Sequence, residues 1–138
     1  MYSNHVNKDV ANILEGHGIQ PSAQRMAVAE YILNTEEHPC ADQVLATVSS
    51  NFPFISRATV YNTLNLFVEK GLIRGLHLSE GKVVFDANLD KHHHLIDEST
   101  GRIHDIAWDK VQICEVKEIE GFDILDYQVV LRGIIKRP

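Results

Sequence analysis

Along the first half of the chain, apolar residues recur at spacings of three and four, the signature of helices with one buried face. Val6, Val10, Ile13 and Leu14 form the first stripe, which stops at Gly16-His17-Gly18, a glycine-rich end suited to a helix C-cap. Pro21-Ser22 opens a second helix, with Ser22 as N-cap and Met26, Ala29, Ile32 and Leu33 as its stripe. Glu36-Glu37-His38-Pro39 reads as a loop, because the residue before a proline avoids helical backbone. A third helix runs from about Ala41 to Ser49 through Val44, Leu45 and Val48. After the turn at Asn51-Phe52-Pro53-Phe54-Ile55, Ser56 caps a fourth helix from Arg57 to Lys70. Its buried face is Val60, Leu64, Phe67 and Val68, ending at Gly71; its other side carries Arg57, Tyr61, Asn62 and Asn65. Leu72 to Leu78 and Lys82 to Asp86 then read as two strands joined by Ser79-Glu80-Gly81.

Helices followed by a β-hairpin give the order of a winged helix-turn-helix, whose fourth helix here would enter a major groove. The second half changes character. His92 to Ile96 and Arg102 to Ala107 are strand-like around Glu98-Ser99-Thr100-Gly101, and Asp109 can cap a helix carrying Val111, Cys114, Val116 and Ile119 that closes at Gly121. Phe122 to Arg132 alternates and is rich in β-branched residues, which predicts a third strand. Three strands and one helix make a poor core alone, so this half is expected to pair with a second copy of itself. The expectation is an α+β chain: a winged-helix domain over residues 1–86 and a small α/β dimerisation domain over 87–138.

Composition narrows the class. With 138 residues, 44% hydrophobic and 23% charged, the chain has the make-up of a globular protein of one ordinary or two small domains. No apolar run approaches the roughly 20 residues that span a bilayer. Met1-Tyr2-Ser3-Asn4-His5 does not begin a signal peptide, so a cytoplasmic location with no membrane partner is expected. Cys40 and Cys114 are the only cysteines, and neither belongs to a C-x-x-C pair; two reduced, partly buried thiols are expected. The net charge is −6, with Lys and Arg outnumbered by Asp and Glu in both halves. Any DNA binding must therefore rest on a few placed cations and show a shallow salt dependence.

The chemistry concentrates at His92-His93-His94. On a strand, residues i and i+2 share a face, so His92 and His94 point one way and His93 the other. With Asp86 and Asp105 nearby in sequence, these imidazoles offer nitrogen and oxygen donors for a divalent ion. The residues alone also allow a histidine-rich surface turn that binds no ion. His38, before Pro39, would by itself read as an exposed loop residue, and His5, His17, His77 and His104 as surface residues. Trp108 reads as a core or interface anchor.

An ordered set of motifs adds a resemblance covering almost the whole chain. Gln24-Arg25 after Pro21-Ser22, His38-Pro39-x-Ala41-Asp42, Ala58-Thr59-Val60-Tyr61-Asn62-Thr63-Leu64, Gly71-Leu72-Ile73, His92-x-His94-Leu95-Ile96, Gly101-Arg102-Ile103 and Gly133-Ile134 follow in register. Together they resemble the ferric-uptake-regulator family of repressors. The resemblance implies a homodimer of winged-helix domains acting on double-stranded operator DNA, with a regulatory Fe(II) or Mn(II) at the hinge. It is nearest to the peroxide-sensing branch. The iron-uptake branch usually has glutamate at the position of Asp105 and arginine at that of Asn62. The implied ligands are His38, Asp86, His92, His94 and Asp105. The branch further implies that iron and peroxide convert His38 or His92 to 2-oxo-histidine, destroying the site.

One departure stands out. The two C-x-x-C pairs that hold a structural zinc in most members would fall at Asp97 and Thr100, and at Ile135 and Pro138. No structural zinc is expected, and packing of Ile134 and Ile135 would have to hold the final strand instead. A second metal site, built in some relatives from late histidine, meets Asp126-Tyr127 here.

On the DNA side, Arg57, Thr59, Tyr61 and Asn62 are the candidate reading residues; arginine suits guanine and asparagine suits adenine. Arg25, Lys8 and Lys82 are candidate phosphate contacts, which position without specifying. The alternatives are a reversible iron- or manganese-responsive uptake regulator of the same family and, remotely, a small metallohydrolase using His92, His94 and Asp86.

Overall fold

The computed structural model describes residues 4–79, 81–114 and 116–136, with side chains for all of these except residues 4–8 and 79. The readings placed on Met1-Tyr2-Ser3, on the side chains of His5, Val6 and Lys8, and on Glu80 and Pro138 lie outside the described residues. The chain divides into two compact units, Met1–Leu89 and Asp90–Pro138.

The first unit holds helices α1 (Asn4–Gly16), α2 (Ala23–Asn34), α3 (Ala41–Val48) and α4 (Arg57–Glu69), then the antiparallel pair β1 (Arg74–Ser79) and β2 (Lys82–Asp86). Its boundaries follow from local chemistry. Ser22 Oγ accepts from the Arg25 amide at 3.2 Å and Ser56 Oγ from the Thr59 amide at 3.0 Å, so each serine satisfies an orphan donor of the helix it opens. Gly71, past the end of α4, takes φ +76°, a backbone state that any Cβ would strain. Leu14, Val28, Ile32, Val44, Val60, Leu64 and Phe67 are buried and draw the four helices onto one core. Ile13 and Val68, counted in the sequence stripes, lie at the margin of their helices' buried faces and are exposed.

Between α2 and α3 the chain does something that no local pattern foretells. The Pro39 carbonyl accepts from the Phe85 amide at 2.9 Å, and Cys40 bridges Val84, so the loop is laid against β2. His38 is thereby buried, at 8% exposure, instead of standing in solvent.

The second unit is a three-stranded sheet of β3 (His92–Asp97), β4 (Ile103–Ala107) and β5 (Val130–Gly133) in the order β4-β3-β5. β3 runs antiparallel to β4 and parallel to β5. Two expectations are corrected here. Among the described residues no α-helix follows Asp109; single 3-10 turns form at Trp108–Lys110 and Val116–Glu118. Val111, Ile113, Val116 and Ile119 are β-branched, and Ile113 and Ile119 are exposed. A short helix without a packed face is marginal in water. The strand expected from Phe122 begins only at Val130, leaving Phe122 and Leu125 exposed.

Ile134 and Ile135 are also exposed, so their packing does not hold the last strand. The ladder to β3 does, aided by the Glu98 amide donating to the Gly133 carbonyl at 2.8 Å and by an Arg132–Glu98 ion pair at 3.3 Å. Of the two free thiols, Cys40 is half-buried, whereas Cys114 is exposed rather than partly buried. Among the described residues no helix is long and apolar enough to cross a membrane.

The β3–β4 turn is closed by Asp97, one of the positions where the resemblance would place a zinc cysteine. Its carboxylate accepts from the Ser99 amide at 2.9 Å and the Ser99 hydroxyl at 2.6 Å, and its carbonyl accepts from the Gly101 amide at 2.7 Å. The Ser99 bonds hold the Asp97 carboxyl below its ordinary value of 3.8. A carboxyl lowered in the folded state stabilises fully above that ordinary value, and the contribution fades as pH falls through the lowered native one. Thermal midpoints of wild type and Asp97→Ala should therefore differ at neutral pH, with wild type higher, and converge in acid. A pH-independent difference would mean that the charge plays no part.

Candidate metal centre and nucleic-acid interface

Each unit carries a set of metal-compatible donors. In the first, His38 Nε2 lies 3.4 Å from Asp86 Oδ2, both side chains nearly excluded from solvent. Asp86 ends β2, and its Oδ1 accepts from the Asn88 amide at 2.9 Å, which fixes the carboxylate plane. In the second, His92 and His94 share a face of β3, and Asp105 stands opposite His94 on β4. His92 Nε2 lies 3.2 Å and His94 Nε2 3.6 Å from the same oxygen, Asp105 Oδ1.

The geometry of the second set suits a cation. His92 Nδ1 lies 2.5 Å from the Asp90 carbonyl oxygen. A carbonyl only accepts, so Nδ1 carries the hydrogen, which leaves Nε2, the nitrogen facing Asp105, as the ring's ligand atom. Two imidazole nitrogens converging on one carboxylate oxygen are donors that a divalent ion takes. A backbone carbonyl holding the far nitrogen is also the usual outer-shell support of a ligating histidine. The residues thus fit a divalent ion. Imidazole with hard carboxylates suits Fe(II) or Mn(II) better than zinc.

His93 points to the other face, as strand alternation requires. It is fully buried, its ring stacks on Trp108 at 4.4 Å, and its Nδ1 accepts from the Val129 amide at 3.1 Å. It therefore serves the sheet, and Trp108 is a half-buried anchor against it.

On the nucleic-acid side, Arg57, Tyr61 and Asn62 are exposed on α4. Thr59 is less available: its hydroxyl lies 2.8 Å from Ser56 Oγ in the helix cap. Arg25, at the start of α2, donates to the Gln20 carbonyl at 2.9 Å and lines with Thr59 and Asn62 a polar cleft of about 510 Å³. Lys82 is exposed at the start of β2 and lines, with Arg57 and Tyr61, a second cleft of about 570 Å³. Two groups escaped the sequence reading. The Asp90 carbonyl carries no side-chain signal, and Asp42 sits 3.2 Å from Arg57, where only the helix packing brings them together.

Fold and donors together define a class: DNA-binding regulators that answer to a metal ion. Residues 16–132 match the profile described as Ferric uptake regulator family. The peroxide-responsive repressor PerR of Staphylococcus aureus strain Mu50 is 31% identical over 86% of this chain and 82% of its own. Among solved structures, PerR from Streptococcus pyogenes, described for peroxide sensing and gene regulation, superposes with a TM-score of 0.53 at 29% identity, covering 94% of this chain and 90% of that one. The Vibrio cholerae ferric uptake regulator Fur reaches a TM-score of 0.74 at 22% identity, over 91% and 98% of the two chains. The chain belongs to the ferric uptake regulator family. It is a metal-responsive DNA-binding repressor acting as a homodimer, not an enzyme, and the metallohydrolase alternative falls.

Proposed function

We propose that this repressor senses hydrogen peroxide through oxidation of a histidine that ligates its regulatory metal. His38 and Asp86 from residues 1–86, and His92, His94 and Asp105 from residues 87–138, would close on one ion and bias the dimer toward its DNA-competent form. The ion must bind that form better than the open one, or it shifts nothing. Ferrous iron held by these five donors would supply the one-electron reduction of peroxide, chemistry that manganese does not readily supply.

The residues do the rest. Asp86 and Asp105 would supply the carboxylate donors, the Asp90 carbonyl orients His92 with Nε2 inward, and His38 and His92 stand as the rings to be oxidised. Loss of either ligand would free the ion and release the operator. Arg57, Tyr61 and Asn62 read bases, while Arg25 and Lys82 hold phosphates. The protein would work in the cytoplasm, alongside its operator DNA.

The observation that carries this reading is the convergence of His92 Nε2 and His94 Nε2 on one Asp105 oxygen, with the Asp90 carbonyl behind His92 Nδ1. Aspartate at position 105 and asparagine after Tyr61 support the peroxide branch over the reversible iron- or manganese-uptake alternative, as does the 31% identity to PerR. The test is peptide mass analysis after peroxide treatment of protein loaded with Fe(II) or Mn(II). One added oxygen atom on the peptide of His38 or His92, with iron only, is expected. Unmodified peptides under both metals, with DNA binding still metal-dependent, would establish the reversible sensor instead.

A further inference from the structure

The proposed base-reading face of α4 carries an ion pair of its own. Arg57, in the first turn of α4, directs Nη2 at both carboxylate oxygens of Asp42 on α3, at 3.2 and 3.3 Å. The same Nη2 lies 3.4 Å from the Tyr61 hydroxyl, with the guanidinium 5.4 Å from the Tyr61 ring centroid. Both two-nitrogen edges of a guanidinium, Nη1 with Nη2 and Nε with Nη2, include Nη2. A bidentate grip on guanine O6 and N7 uses one of those edges. Nη2 bears one hydrogen on each edge, and Asp42 and the Tyr61 hydroxyl both lie against it, so the ion pair competes with guanine for this nitrogen.

We propose that Asp42 is an intramolecular brake on operator binding: its carboxylate holds the Arg57 fork that a guanine would otherwise take, and so lowers the affinity of the repressor for its operator. The inference rests on the placement of α4 against DNA. Arg57 and Asp42 are both well exposed, 64% and 61% by side chain, so the pair is weak enough for DNA to break. Asp42 also lies in the first turn of α3, where an acidic side chain interacts favourably with the positive helix end. Because the acid competes for one cation, its removal adds about one phosphate- or base-directed charge to the interface.

The experiment uses the full-length Mn(II)-loaded protein with two duplexes: one enriched from a random pool by the wild type, and the same duplex scrambled. Wild type, Asp42→Asn, Arg57→Ala and the double variant are compared by fluorescence anisotropy across a salt series. Arg57→Ala should weaken the enriched duplex. Asp42→Asn should tighten it by about two- to fivefold, the range of an exposed ion pair. That gain should vanish when Arg57 is already alanine, which separates the brake from general repulsion between Asp42 and phosphates. If Arg57→Ala binds as well as wild type, Arg57 does not read DNA and the brake falls with that placement. If Arg57→Ala weakens binding while Asp42→Asn leaves it unchanged or weakens it too, the placement stands and the brake alone is overturned.

Discussion

Asp105→Ala should abolish metal-stimulated DNA binding while leaving the dimer assembled. Asp105 Oδ1 is the atom on which His92 and His94 both converge, so its loss leaves two imidazoles with no carboxylate oxygen between them. Even outer-shell partners are worth roughly 10–100-fold in metal affinity, and a ligating carboxylate should exceed that. The side chain is partly exposed and lies on an edge strand of the sheet, so its removal creates no cavity and the fold should survive. Metal titration followed calorimetrically, with sedimentation of the same sample, separates the outcomes. Undiminished metal-dependent binding to DNA would remove Asp105 from the ligand set, and a monomer would show that the variant acts on assembly.

Phe67→Ala should be the most damaging single change in the first unit. Phe67 is wholly buried among the helices, and truncating a buried phenylalanine costs about 3–5 kcal/mol through lost transfer energy and the cavity left behind. A typical domain has only about 5–15 kcal/mol in all, so the variant should be partly unfolded at growth temperature and lose DNA binding. The neighbouring Val68, exposed on the same helix, provides the control: Val68→Ala should stay within about 0.5 kcal/mol of wild type. Urea unfolding of both variants checks this, and equal midpoints would show that the inward stripe of α4 has been misassigned.

How much of this was legible in sequence depended on whether the deciding interactions were local. α2 and α4 could be read because their serine caps and stripes lie within a few residues of each other. His92 and His94 could be paired because strand alternation alone sets them on one face. The burial of His38 could not be foreseen, since it comes from the Pro39 carbonyl reaching Phe85, far along the chain. The false helix after Asp109 shows the opposite failure. Apolar residues at loosely helical spacing suggested a stripe, but Ile113 and Ile119 are exposed. The Asp42–Arg57 pair was invisible for a third reason: an acid in one helix and an arginine in another carry no spacing rule.

The parallel pairing of β3 with β5 has a consequence for how the protein comes into being. All five proposed donors precede the end of β4 at Ala107, whereas β5 begins only at Val130. The hairpin bearing His92, His94 and Asp105 is built from contacts close in sequence, which form early. The proposed donors thus sit on elements whose pairing does not need β5, and metal capture need not await the closure of the parallel ladder.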